Sequence, residues 1–194
     1  LGYWSEFCLR YIMSTEIEIK GVDNIIIGQK YFVVCSHQSI FETFFLQTIF
    51  NNSVFILKKE LMNIPLFGWY LKKMNCISID RNKISKENLN FSNQVGKIIR
   101  NTNKTLIIFP QGTRKDFQDR SKFKKGFSRI YYDLKISCLP VAINSGKVWP
   151  KKGKLMPCQK ITISILNLIP PGLEQDELAA KVERTIYNEL DKIS

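Results

Sequence analysis

The chain is poor in several kinds of residue, and each shortage removes a class of protein. It has one histidine, His37, among 194 residues, and no CxxC spacing. One histidine and scattered cysteines do not make the usual ligand set of a zinc site. The five cysteines, Cys8, Cys35, Cys76, Cys138 and Cys158, are odd in number, and most stand in apolar runs. They read as reduced, buried thiols of a cytosol-facing protein, not as a disulfide framework. No apolar run reaches the roughly 18 residues that a membrane span requires. Low-complexity stretches and internal repeats are absent. With 44% hydrophobic and 24% charged residues, the composition is that of a folded protein, not a disordered one. Acidic residues are scarce: 17 against 29 Lys and Arg, for a formal net charge of +12. Such an excess points to an anionic partner: nucleic acid, an anionic membrane surface or a phosphorylated substrate. A compositional drift toward Lys, Asn and Ile accounts for the same imbalance. No nucleic-acid-binding motif and no basic helix suited to a groove accompanies the charge.

What is present reads as one domain of alternating strands and helices. Leu1–Met13 is aromatic and amphipathic. It suits either a membrane interface or a helix packed on the domain. Strands are predicted at Thr15–Lys20, Tyr31–Cys35, Val54–Leu57, Cys76–Ile79, Thr105–Phe109, Cys138–Ile143 and Lys160–Leu166. Helices are predicted at Ser39–Phe50, from Pro65 onward as a first-turn proline, at Lys86–Arg100, at Phe127–Leu134 and at Glu174–Ile193. Gln111–Lys125 has no apolar period and reads as loop. The alternation predicts a single α/β domain with a central, mostly parallel or mixed sheet flanked by helices. In such sheets a site lies beyond the carboxyl ends of the strands.

Two segments with chemical potential fall at strand ends. The first is Cys35-Ser36-His37-Gln38-Ser39-Ile40-Phe41-Glu42. A histidine can take a proton near neutral pH, and a carboxylate can fix its tautomer. On one continuous helix the two side chains would stand about 140° apart, from ~100° per residue. Pairing therefore requires His37 in the loop and Glu42 in the first helical turn. The same residues also form a capping box, with Ser39 as N-cap and Glu42 three residues on. The second segment is Phe109-Pro110-Gln111-Gly112-Thr113-Arg114. Gly112 permits close backbone approach, Thr113 offers a hydroxyl and Arg114 a fork matched to phosphate. Lys115, Arg120, Lys122, Lys124 and Lys125 extend the positive field. A turn followed by a solvated basic loop would look the same. Lys58-Lys59-Glu60-Leu61 and Ile79-Asp80-Arg81 place further cations at strand ends.

In this order, the segments resemble the 1-acyl-sn-glycerol-3-phosphate acyltransferase family in its bacterial form. That family is marked by His, four residues, then an acid, with a Phe-Pro-Glu-Gly-Thr-Arg motif about seventy residues downstream; His37, Glu42 and Phe109–Arg114 keep that spacing. Ile64–Trp69, Ile77–Arg81, Leu139–Ala142, Asn144–Pro150 and Ile169–Leu173 continue the likeness, from about Gly21 to the C-terminus. Two positions depart from the family: Glu42 stands for the usual Asp, and Gln111 for the usual Glu.

The resemblance implies a division into an N-terminal amphipathic segment with the first strand (1–20) and an acyltransferase domain (21–194). It implies transfer of an acyl chain from acyl-carrier protein or acyl-CoA to the free hydroxyl of lysophosphatidate, giving phosphatidate. His37 would be the general base and Glu42 its orienting acid. Ser36, Ser39 and Cys35 are not proposed as nucleophiles. Lys58, Arg81, Gly112, Thr113 and Arg114 would bind the acceptor phosphate, and Gln111 would position that loop. Leu139, Pro140 and Val141 would serve acyl-chain packing or the core. No cofactor and no metal are implied, and no nucleic-acid partner. The expected location is the cytoplasmic face of the bacterial inner membrane. Attachment would be peripheral or through an N-terminal segment outside this chain. The exposed apolar residues Leu66, Phe67, Trp69 and Tyr70 would face that bilayer, or else pack in the core. Glycerol 3-phosphate, another lysophospholipid or a lyso-ornithine lipid is the alternative acceptor. A non-catalytic basic module for membrane or nucleic acid is the alternative class.

Overall fold

A computed structural model of the chain describes residues 2–50, 52–73, 76–79, 93, 95–97, 99–102 and 104–193. Seven strands form one sheet in the order β1-β7-β6-β2-β5-β3-β4. They are β1 (Glu16–Lys20), β2 (Tyr31–Cys35), β3 (Ser53–Lys58), β4 (Ile77–Ile79), β5 (Thr105–Ile108), β6 (Ser137–Ile143) and β7 (Lys160–Ile165). Neighbours run parallel except β6 and β7, which are antiparallel. The sheet is thus mostly parallel and mixed, as the alternation predicts.

Strand residues alternate between two apolar layers, following the two-residue period of a strand. Val33, Cys35, Ile107, Leu139 and Val141 face one layer, with Phe41, Phe45 and Leu46 of α2 (Phe41–Ile49). Phe32, Val34, Leu106, Ile108 and Cys138 face the other, with α4 (Gly126–Leu134) and α5 (Gln175–Lys192). Leu178, Val182, Ile186 and Leu190 supply the α5 stripe, at the spacing of one helical face. Both faces of β2 are buried throughout, which is why its sequence is an unbroken apolar run. Each fully buried side chain of this kind contributes about 1.5–3 kcal/mol.

Several expectations are corrected at their edges. Pro65 does not open a helix, because Leu66 takes a left-handed φ of 61° that no right-handed turn can absorb. The chain instead makes a 3-10 turn over Lys59–Asn63 and begins α3 at Phe67 (Phe67–Lys73). Of the apolar residues there, Leu66 and Trp69 are exposed, while Tyr70 is half-buried and donates its hydroxyl to Gln47. Most of the helix expected at Lys86–Arg100 lies outside the described residues; positions 93, 95–97 and 99–101 are helical, with Val95 and Ile99 buried.

The N-terminal segment is helical in two parts. α1 (Gly2–Phe7) continues as a π-helical turn over Cys8–Ile12, closed by a bond from Met13 N–H to the Cys8 carbonyl. A Cβ on Gly2 would lie 2.6 Å from the Phe44 carbonyl oxygen, so α1 seats closely on α2. Leu9 turns inward, whereas Tyr3, Trp4, Tyr11 and Ile12 stay exposed. β1 pairs with β7, so the sheet takes in the last five residues of that segment. Among the described residues no helix is long and apolar enough to cross a membrane.

Candidate active site

The sheet order brings three strand ends together. β2 lies between β5 and β6 and runs parallel to both. The loops after Cys35, Ile108 and Ile143 therefore leave the same edge, the usual place for a site in such a sheet.

His37 sits in the loop after β2, and Glu42 in the first turn of α2. Their placement satisfies the pairing condition stated from the sequence. His37 Nδ1 lies 2.8 Å from Glu42 Oε2. Glu42 is fully buried, and the His37 side chain keeps 16% of its surface exposed. The carboxylate also accepts the backbone N–H groups of Gln38 at 3.1 Å and Ser39 at 2.9 Å, together with the Ser145 hydroxyl. A buried charge needs such compensation. The two backbone N–H groups can only donate, which suits an accepting carboxylate, and facing it His37 fits the tautomer with its proton on Nδ1. Nε2 is then left as an acceptor.

Glu42 also meets part of the capping expectation. It reaches back to Ser39 N–H, and the Ser39 hydroxyl accepts from Phe41 N–H at 3.2 Å. The helix nevertheless starts at Phe41, with Ile40 already in right-handed geometry. The reciprocal bond expected from Glu42 N–H to Ser39 is replaced by that shorter one.

The second segment supports the first. Gln111, itself buried, accepts His37 N–H through Oε1 at 2.6 Å, and Lys115 N–H donates to the His37 carbonyl at 2.8 Å. The Phe109 ring stacks on the imidazole, with centroids 4.0 Å apart. Gly112 has a φ of 74°, which L side chains rarely adopt, so the tight turn requires glycine. These contacts show what Gln111 does here: it supplies a neutral acceptor to a backbone donor. Gln111→Glu keeps that acceptor and should retain turnover. Gln111→Leu orphans a buried N–H, at a cost of about 1–3 kcal/mol, and should lower kcat by more than tenfold. Steady-state rates of the two variants, each shown by thermal unfolding to be folded at the assay temperature, test this assignment.

A cleft of about 310 Å³ opens over His37. Its walls are largely apolar, from Ile40, Phe55, Leu57, Leu61, Leu71 and Phe109. Gly112, Thr113, Arg114 and Lys151 also line it, and Lys151 Nζ donates to the Thr113 hydroxyl at 3.2 Å. The other expected site residues fall elsewhere. Lys58 ends β3, but its side chain is not among those described. Arg81 lies outside the described residues. Leu139, Pro140 and Val141 are buried within β6 and do not line the cleft. Sequence reasoning missed Lys151 and Ser145. The Lys151-Lys152 pair after Pro150 was the one available signal for the former.

Cys35 precedes the loop but cannot serve as a nucleophile. It is fully buried and donates to the Ser36 carbonyl at 3.2 Å. Burial, and then the Glu42 charge, push its thiol well above the ordinary range. Burial does the same to Cys138 and, less strongly, to Cys76. Cys158, expected to be buried, is exposed, and Cys8 is partly so. A maleimide reagent at neutral pH should therefore modify Cys158 first and Cys8 more slowly. Cys35, Cys76 and Cys138 should react only after denaturation, as peptide mapping would show.

The Acyltransferase family profile matches residues 16–144, which span the sheet from β1 to the turn after β6. The chain belongs to the acyltransferase family. A 1-acyl-sn-glycerol-3-phosphate acyltransferase of Pseudomonas aeruginosa is 33% identical over 154 residues, covering 77% of this chain and 59% of that protein. The protein of the same description from Saccharomyces cerevisiae is 27% identical over 193 residues, covering 95% of this chain and 63% of its own. This acyltransferase chain thus spans about six-tenths of the length of those relatives. In fold it is similar to the crystal structure of the 1-acyl-sn-glycerophosphate acyltransferase from Thermotoga maritima. The TM-score is 0.79 at 22% identity, over 99% of this chain and 77% of that one.

Proposed function

We propose that this acyltransferase moves an acyl chain from an acyl thioester to the free hydroxyl of lysophosphatidate, yielding phosphatidate. The observation that carries the reading is the His37–Glu42 pair, with His37 lining an apolar cleft that Arg114 and Lys151 also line. His37 Nε2 takes the proton of the acceptor hydroxyl as its oxygen attacks the thioester carbonyl. Glu42 holds Nδ1–H and stabilises the imidazolium that forms. Collapse of the tetrahedral adduct breaks the carbon–sulfur bond, and the imidazolium returns its proton to the departing thiolate. No acyl-enzyme is required.

The apolar lining suits an acyl chain, and the cations Arg114 and Lys151 suit a phosphate. Acyl-CoA and acyl-carrier protein carry the same thioester chemistry, and either serves as donor in this scheme. Work at an anionic membrane surface follows from an acceptor that resides in a bilayer. The exposed aromatic face of α1 fits peripheral attachment there. A panel of acceptors with one acyl-CoA, read by mass spectrometry, tests the assignment. Phosphatidate from lysophosphatidate should exceed products from glycerol 3-phosphate and from a lysophospholipid whose phosphate is esterified. Preference for one of the latter would replace the acceptor while keeping the chemistry.

A further inference from the structure

We propose that Ser145 is a positioning residue of the dyad: its buried hydroxyl holds one oxygen of Glu42 so that the other meets His37. The inference rests on the general-base reading above and deepens it. Glu42 Oε1 accepts from Gln38 N–H, Ser39 N–H and the Ser145 hydroxyl. The first two belong to the carboxylate's own loop. Among the described residues, Ser145 is the one donor to Glu42 from another strand end, 103 residues away. It opens the 3-10 turn Ser145–Lys147 just beyond β6 and is fully buried. It does not line the cleft, so it acts through Glu42 and not on a substrate.

The contact is one of several that clasp the His37 loop to the end of β6, among them Ser36 N–H to the Val141 carbonyl at 3.2 Å. The Ser36 hydroxyl accepts Ile143 N–H at 3.0 Å and lies 3.3 Å from its carbonyl oxygen. Gly146 N–H donates to Gln38 Oε1 at 3.0 Å. A Cβ on Gly146 would approach Gln38 Cβ to 2.9 Å, so only glycine admits that side chain. The others engage backbone atoms at the β6 end, and of these bonds only that of Ser145 holds the carboxylate. The Val148 and Trp149 N–H groups both donate to the Ser145 carbonyl, which fixes the residue on its turn. Rotation of Glu42 about its terminal bond is therefore opposed from outside its own helix.

The test uses the chain's single histidine, whose ring nitrogens give one unambiguous pair of ¹⁵N signals. In the wild type the neutral ring should show Nδ1–H and an unprotonated Nε2. Ser145→Ala should mix the two tautomers. It should lower kcat by about tenfold to a hundredfold, the scale of one hydrogen bond to a charged group, with KM for both substrates unchanged. Ser145→Thr, which keeps a hydroxyl, should recover both signals and rate. Ser128→Ala removes another fully buried serine hydroxyl, bonded to the Lys125 carbonyl at 2.8 Å and remote from Glu42, and should change neither readout. A wild-type ring spectrum and rate in Ser145→Ala would overturn the proposal, as would equal effects from Ser128→Ala. If Ser145→Ala does not fold, Ser145→Cys keeps the volume with a weaker donor, and unaltered ring signals in it would likewise overturn the proposal. Should the wild type transfer no acyl group, the ring spectra still report on positioning, so failure of the functional reading is separable.

Discussion

His37→Ala is expected to lower acyl transfer by about 10²–10⁴, the usual worth of general-base action, while the protein stays folded. The loop does not depend on the imidazole. Its backbone is held by Gln111 and by Lys115 N–H whatever side chain position 37 carries. Glu42 would lose one partner and keep the Gln38, Ser39 and Ser145 donors. The stack on Phe109 would go, at about 0.5–1.5 kcal/mol, so the melting temperature should fall by only a few degrees. Turnover and thermal unfolding measured on one preparation separate loss of chemistry from loss of fold. Activity within a few-fold of the wild type would exclude His37 as the base.

Glu42→Gln is expected to be nearly as damaging, and for a reason that geometry makes specific. Glutamine keeps the size but must turn an NH₂ group toward one side. If it faces His37, the ring must present Nδ1 as an acceptor and carry its proton on Nε2. That tautomer cannot take a proton from a hydroxyl, and the analogous change in a serine-protease triad costs on the order of 10⁴ in kcat. If it faces the other way, it opposes the donors at Oε1 from Gln38, Ser39 and Ser145 in a fully buried place. Neither orientation is satisfied. A mere helix cap would predict otherwise, since the cost of a lost cap is about 0.5–2 kcal/mol of stability and leaves kcat unchanged. Paired measurements of kcat and unfolding free energy on Glu42→Gln therefore decide between cap and orienting acid.

Much of this site could be read from the chain because its chemistry is local. His37 and Glu42 are five residues apart, and the sequence states the condition for their pairing: one in a loop, the other in the first turn. The strands before them and before Gln111 are runs buried on both faces, which announce themselves by composition alone. Gly112 and Arg114 follow a strand end, where the fold gathers ligands. What the sequence hides is contact across the sheet. Nothing near Ser145 signals that β6 lies beside β2, nor that its hydroxyl reaches Glu42. Lys151 meets Thr113 only because the turn after β6 folds back over the loop after β5. Gln111 looked like a loss of charge, whereas its geometry shows an acceptor of a backbone N–H, for which charge is unnecessary. The start of α3 is not legible either, because the proline signal points to Pro65, while the left-handed conformation belongs to Leu66.

The most direct test of the account is thiol release from acyl-CoA by the wild-type chain, followed with and without lysophosphatidate. Direct transfer through His37 predicts release only when the acceptor is present, one thiol for each phosphatidate formed, and no acyl group retained on the protein. A stoichiometric burst of thiol without acceptor, with the acyl group recovered on a side chain, would contradict it.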